Sequence, residues 1–277
     1  MIAPINKIIP LSLVDGPGNR TSIFLQGCNI SCAYCHNPET QRLCNNCGEC
    51  VEGCPVNALS IIDGKVNWNP EKCVNCDQCI KVCPNYASPK IKYMSAEEVF
   101  EIVKKNIPFI RGITVSGGEC TLYPDFLLEL FKLAKAENLS CLIDSNGMVD
   151  FSKYPDLIKI CDGVMLDVKA WDTLVYKKLT GKDNKNVKLN IKYLSDLDKI
   201  EEIRIVCLPD EMDADEVIQG IADTIKDKVK TTKLKLIKFR RYGVKGRLGN
   251  TVSPTDNYME KLLNKALTLG FKKVSIT

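Results

Sequence analysis

Fifteen cysteines stand in a chain of 277 residues, and eleven of them lie between Cys28 and Cys83. Thiols packed this densely are either a disulfide framework or metal ligands. The N-terminal stretch MIAPINKIIPLSLVDGPG has its apolar run broken by Pro4, Pro10 and Asp15, so it reads as neither a signal peptide nor a membrane span. A cytoplasmic location is therefore expected, and there thiols stay reduced. Metal ligation is the better reading. The rest of the composition, 45% hydrophobic and 26% charged, is that of a soluble globular protein. A net charge of +4 without a concentrated basic stripe argues against nucleic acid as a partner.

Spacing sharpens the reading. CNNCGECVEGCP supplies Cys44, Cys47, Cys50 and Cys54, and CVNCDQCIKVCP supplies Cys73, Cys76, Cys79 and Cys83. Each is C-x2-C-x2-C-x3-C-P, the bacterial ferredoxin run, in which the fourth cysteine ligates the other cluster. Cys44, Cys47, Cys50 and Cys83 are thus expected on one [4Fe-4S] cluster, and Cys73, Cys76, Cys79 and Cys54 on a second. A zinc ribbon would not call for four cysteines twice with this proline. With all four corners held by protein, such clusters are expected to carry electrons, or else to serve as structural staples for a segment poor in core residues.

Nearer the N-terminus, GCNISCAYCHNP places Cys28, Cys32 and Cys35 in C-x3-C-x2-C spacing directly after an apolar strand at residues 20–27. Three thiolates can hold three corners of a third [4Fe-4S] cluster and leave one iron open for a ligand. The competing reading is a zinc knuckle with His36 as fourth ligand.

From residue 95 onward the periodicity alternates. A helix opens at Ser95 with a capping box to Glu98, and a strand is expected at 112–118. A helix at 125–138 and strands at 140–147, 163–169, 203–209 and 233–239 follow. Helices are expected at 213–227 and 256–269, before a short apolar end. With the strand at 20–27 this makes six βα-type strands, too few for an eightfold barrel. The expected fold class is α/β, a partial (β/α)6 TIM-like barrel with an inserted bacterial ferredoxin-like two-cluster module. Its expected divisions are residues 1–42 (first part of the barrel), 43–90 (insert) and 91–277 (remainder). Chemistry in such folds sits at the C-terminal ends of the strands, where Gly117, Gly118 and Glu119 end one strand and Lys169 ends another.

With DGPGNRTSIFLQG before the three-cysteine loop and HNP after it, the chain resembles the radical S-adenosylmethionine (radical SAM) superfamily. More narrowly, it resembles the glycyl-radical-enzyme activating enzymes, of which the pyruvate formate-lyase activase is the best known. The resemblance implies that the open iron chelates S-adenosylmethionine. One electron then yields methionine and a 5′-deoxyadenosyl radical, which abstracts hydrogen from a glycine of a partner glycyl radical enzyme. Catalysis would centre on Cys28, Cys32 and Cys35. It implies cofactor-binding roles for Tyr34, Gly117, Gly118, Glu119, Asp144, Ser145, Asp167, Lys169 and Arg204, and a monovalent cation near Asp144, Ser145, Met165 and Asp167. Without the resemblance, Asp144 or Asp167 with Lys169 reads as a buried ion pair. An electron donor such as flavodoxin or ferredoxin is expected. Two departures stand out: Cys120 occupies a position where the family has proline, and the family's Pro-Tyr-His histidine is missing, with Arg240 at about its place and expected to take over its contact with the cofactor. A radical SAM enzyme acting on a small molecule or other peptide, and a ferredoxin-like electron carrier, are the alternative readings.

Overall fold

The computed structural model describes all residues, 1–277. β1 (Ile2–Ser12) runs into a loop and returns antiparallel as β2 (Arg20–Leu25). The insert follows, with α1 (Glu49–Glu52), a hairpin of β3 (Leu59–Ile62) and β4 (Lys65–Trp68), and α2 (Gln78–Val82). The chain rejoins the main sheet through β5 (Lys92–Ser95) and then alternates. In order come α3 (Ala96–Lys104), β6 (Gly112–Gly117), α4 (Pro124–Ala136), β7 (Ser140–Ser145), α5 (Pro155–Ile160) and β8 (Gly163–Asp167). The remainder is α6 (Thr173–Thr180), α7 (Lys185–Asp196), β9 (Ile200–Cys207), α8 (Ala214–Ile225), β10 (Lys233–Lys238), α9 (Asp256–Thr268) and β11 (Lys273–Ile276).

These strands form one mixed nine-stranded sheet in the order β11-β10-β9-β8-β7-β6-β2-β1-β5. The six expected strands are its parallel run, β2 and β6 to β10. Three more strands enlarge it. The apolar end adds a seventh parallel strand, β11, beside β10. β1 and β5 extend the other side antiparallel. β1 tolerates Pro10 because its pairing with β2 is irregular between Ile9 and Ser12, whereas Pro4 sits opposite Tyr93 in the ladder with β5.

The capping box that opens α3 is formed on both sides, Ser95 to Glu98 and back. Helical apolar faces cover the parallel strands, with Phe126, Phe131, Phe151 and Phe271 fully buried between them. The continuous apolar core takes no buried residue between Tyr34 and Ala96. The insert therefore contributes nothing to it. It is tied instead by polar contacts. Gln26, fully buried after β2, holds the segment leading into it by donating to the carbonyls of Glu39 and Arg42 (2.5 and 2.6 Å). The insert's end meets that segment where Ser88 N–H donates to the Glu39 carbonyl (3.1 Å) and Arg42 donates to Asn85 (3.2 Å).

Close helix–sheet approach also fixes the segment after β8. Trp171 donates its backbone N–H to the Asp213 carboxylate at 3.0 Å, and its carbonyl accepts from the Asn184 side chain at 2.7 Å. Gly220 in α8 leaves room for the indole, since a Cβ there would lie 1.9 Å from the Trp171 ring. Gly220→Ala should thus lower stability by about 1–3 kcal/mol through overpacking, although alanine gains about 1 kcal/mol in helix propensity. Urea unfolding of the anaerobically prepared protein checks this. Unchanged stability would show that α8 does not press on Trp171.

Candidate active site

The loop after β2 has no regular structure of its own and is fixed by backbone hydrogen bonds from several directions. Gly27 and Cys28 donate to the carbonyls of Thr40 and Gln41, both at 2.8 Å. Ser31 and Ala33 donate to the carbonyls of Thr180 and Leu179 at the end of α6, at 2.9 and 2.8 Å. Thus anchored, Cys28, Cys32 and Cys35 line one cavity of about 310 Å³. The cysteine loop adds His36, Asn37 and Gln41 to its wall, and the C-terminal parts of the neighbouring parallel strands add Gly117, Gly118, Asp144, Ser145, Asp167, Lys169 and Arg204. Tyr34 also faces it, with the Lys169 ammonium 5.8 Å from its ring centroid.

The glycine pair does more than open space for a ligand. A Cβ on Gly117, whose φ is +119°, would sit 2.2 Å from the Leu25 carbonyl, and one on Gly118 would sit 2.2 Å from that of Gly27. Only glycine lets β6 close onto the cysteine loop this tightly. Glu119 does not line the cavity. It is buried, with Oε1 accepting from Thr121 N, Thr121 Oγ1 and Ser145 Oγ (3.1, 2.6 and 2.9 Å) and Oε2 from Asn146 N (2.7 Å). Burial pushes its carboxyl up, and the four donors oppose that shift. Its visible work is to bind the end of β6 to the end of β7.

The carboxylates of the wall carry built-in cations. Lys169 donates to Asp167 at 2.9 Å, the buried ion pair that the residues alone suggest. Arg204, in register with Asp167, reaches across to Asp144 at 3.0 Å and back along its own strand to Glu202 at 2.8 Å. Burial opposes the Lys169 charge, but the adjoining carboxylate outweighs it and holds the ammonium protonated well above its usual range. Burial raises the Asp144 carboxyl, against the pull of Arg204. It also pushes the thiols of Cys28 and Cys32 up to about 11 and about 12.

Arg240 is not brought to the cavity. β10 ends at Lys238, Phe239 turns into the core, and the Arg240 side chain is exposed. Only its carbonyl faces inward, accepting from His36 Nε2 at 2.6 Å. His36 lines the same cavity and stacks on Phe239, and it joins the thiols in no group able to hold a metal ion, so the zinc-knuckle reading finds no support. Sequence reasoning missed Asn146 and Ser116. Asn146 spans from Asn29 (2.9 Å) to the Cys28 sulfur (3.6 Å), and Ser116 donates to Asp144 at 3.0 Å. Their only signal was adjacency to strand-end motifs. Cys120 is fully buried, its thiol directed at the Val115 and Asp144 carbonyls.

In the insert, Cys54, Cys73, Cys76 and Cys79 line one small cavity, so the fourth cysteine of the first run sits among the first three of the second. Burial raises the Cys50 thiol to about 11, and Cys44, Cys79 and Cys83 lie close enough to add to the rise. The two runs share their backbone form. Asn46 and Asn75, each just before the second cysteine of its run, and Gly48 and Asp77, each just after it, all have positive φ. No three His, Cys, Asp or Glu side chains anywhere gather tightly enough for a single metal ion.

The chain belongs to the radical SAM superfamily, whose sequence profile matches residues 22–219. Within it the chain sits among the glycyl-radical enzyme activating enzymes. It is 35% identical to the trans-4-hydroxy-L-proline dehydratase activating enzyme of Clostridioides difficile, over 70% of this chain and 70% of that one. It is 32% identical to the (2S)-3-sulfopropanediol sulfolyase activating enzyme of Bilophila wadsworthia, over 78% of each. With the pyruvate formate-lyase-activating enzyme of Clostridium pasteurianum the identity is 29%, over 87% of this chain and 83% of the relative. The fold matches the crystal structure of QueE from Escherichia coli with a TM-score of 0.59 at 15% identity, over 100% of this chain and 94% of that one. Membership implies a [4Fe-4S] cluster and S-adenosylmethionine. No helix is long and apolar enough to cross a membrane.

Arg204→Leu would leave Asp144 and Glu202 buried without their cation, and should cost about 3–5 kcal/mol of stability. Thermal unfolding measures it, and a loss below 1 kcal/mol would show the pairs to be dispensable. Arg240→Ala, by contrast, should leave S-adenosylmethionine affinity unchanged in isothermal titration. A clear loss there would bring this residue into the site after all.

Proposed function

We propose that this chain is the activating enzyme of a glycyl radical enzyme. The observation that carries the reading is that three thiols on the first strand-end loop open into the same cavity as the side chains ending β7 and β8. A set of three soft thiols with no fourth protein ligand fits a cluster with one open corner. Cys28, Cys32 and Cys35 would hold it. When bound, such a cluster supplies the electron that splits S-adenosylmethionine into methionine and a 5′-deoxyadenosyl radical able to take hydrogen from a partner's glycine Cα.

The chain's own residues bind, orient and shield. Lys169, protonated and facing the cavity, suits the methionine carboxylate. Gly117 and Gly118 offer backbone at the cavity wall, and Ser145 with Asp144 and Asp167 supplies polar groups for the amino and ribose portions. Tyr34 presents an aromatic face. Glu119 acts from behind by fixing the ends of β6 and β7. The monovalent cation implied by resemblance would have to share Asp144 and Asp167 with Arg204 and Lys169, so it forms no part of this reading.

Residues 43–90 form a separate module between the two parts of the main α/β unit, 1–42 and 91–277. Its cysteine neighbourhoods support one [4Fe-4S] cluster on Cys44, Cys47, Cys50 and Cys83 and another on Cys54, Cys73, Cys76 and Cys79. Fully ligated clusters suit electron relay from an external donor such as flavodoxin or ferredoxin to the three-cysteine loop.

Anaerobic reconstitution should bring iron and sulfide to about twelve each, as three four-iron clusters require; saturation near four would remove the insert's clusters from the account. Cys32→Ala should abolish reductive cleavage of S-adenosylmethionine. Cys76→Ala should retain part of it with a strong chemical reductant, and equal loss in a folded protein would refute the relay. The partner is identified by the stable glycyl radical, visible by electron paramagnetic resonance, that the loaded enzyme should install in a glycyl radical enzyme. Cleavage without any such transfer would favour a small-molecule substrate.

A further inference from the structure

Two charged side chains, Lys90 and Asp77, share the wall of the small cavity lined by Cys54, Cys73, Cys76 and Cys79. The rest of that wall is apolar: Pro55, Val56, Ala58, Leu59, Trp68 and Val74. A charge therefore acts there with little screening by polar neighbours. The Lys90 ammonium donates to the Asp77 carboxylate at 2.5 Å, but the two side chains differ in exposure, 15% for the lysine and 54% for the aspartate. Water screens the exposed carboxylate more than the sheltered ammonium, so the pair does not cancel at the cavity.

Lys90 is also held in place from behind. Its backbone N–H donates to Ser88 Oγ at 3.1 Å, and Ser88 is buried where the insert meets the Glu39 carbonyl. The chain leaving the insert thus carries a lysine back against the second cysteine run. Burial opposes the Lys90 charge, but Asp77 outweighs it and holds the ammonium protonated above its usual range. On their outer side Lys90 and Asp77 line a groove with Lys7 and Glu39, one charge of each sign.

Resting on the reading of the insert as a two-cluster module, we infer that Lys90 raises the reduction potential of the cluster held by Cys54, Cys73, Cys76 and Cys79. Reduction adds one negative charge to such a cluster, and a fixed cation in the wall stabilises the reduced state more than the oxidised one. Local charge is among the determinants of these potentials. Lys90 makes this cluster a better acceptor for an incoming electron and a poorer donor onward. It is a positioning residue of the relay and touches no substrate.

The test is a redox titration followed by electron paramagnetic resonance, on fully reconstituted protein without S-adenosylmethionine. The signal altered or lost in Cys76→Ala marks the cluster concerned. Lys90→Met keeps an unbranched stem and removes the charge. That cluster should become about tenfold harder to reduce at a fixed potential, a fall of about 59 mV for one electron, and Lys90→Arg should restore most of it. Asp77→Asn removes the opposing carboxylate and suits the left-handed backbone there, φ +57°; it should shift the same potential upward. Opposite shifts mark a charge effect, because loss of a merely structural tie would move both variants the same way. An unmoved potential in Lys90→Met at full iron content, or shifts of one sign in both variants, would overturn the inference. If Lys90→Met loads poorly, Asp77→Asn decides, and no rise there refutes it. Failure of the underlying reading looks different: the unaltered chain would itself saturate near four irons, and the inference would fall with it.

Discussion

The structure turns on keeping a loop without secondary structure rigid while three thiols project from it into a buried cavity. Backbone hydrogen bonds hold it: residues 27 and 28 against 40 and 41, residues 31 and 33 against the end of α6, and Gly118 and Glu119 against residues 25 and 27. Each tether belongs to a different part of the fold. The parallel sheet matters to the site chiefly because it delivers these ends to one place. The Gly117–Gly118 pair follows from the same need, since any side chain there would push β6 off the loop.

Charge at the cavity is handled by local neutralisation. Lys169 is matched by Asp167, and Arg204 by Asp144 and Glu202. Buried charges are tolerable when paired and hydrogen-bonded, and removing one partner is far more costly than replacing both. A wall of paired charges can accept a zwitterionic ligand by sharing its cations and anions with it, with no lone charge waiting in the empty site. Asn146 and Ser116 add neutral bridges to the same network.

Much of this was legible in the residues themselves. Cysteine spacing marked out the three-thiol loop that lines the cavity, and hydrophobic periodicity found six of the seven parallel strands of the sheet. β1 was hidden by Pro4 and Pro10, which read as breakers, although Pro10 sits where the ladder is irregular and Pro4 pairs with Tyr93 of β5. β11 was too short to separate from a loose end. Gln26 carried no local signal and Asn146 only its adjacency to a strand-end motif, because what they do depends on partners far away in sequence. Arg240 misled for a related reason. Its place in the chain was right, but the alternation past β10 sends Phe239 inward and the arginine out. Glu119 kept its strand-end position while its carboxylate turned away from the cavity toward Ser145 and Asn146.

The absence of insert residues from the apolar core has a consequence for how this molecule would break. On the proposed assignment of two clusters to the insert, a segment held to its host by a few polar ties and stabilised inwardly by metal would lose its cohesion when the metal goes. The α/β unit, with its own uninterrupted core, does not share that dependence. Exposure to oxygen should then act on the insert as current acts on a fuse. The appended piece melts first and breaks the supply line, while the costly part of the machine stays folded for repair.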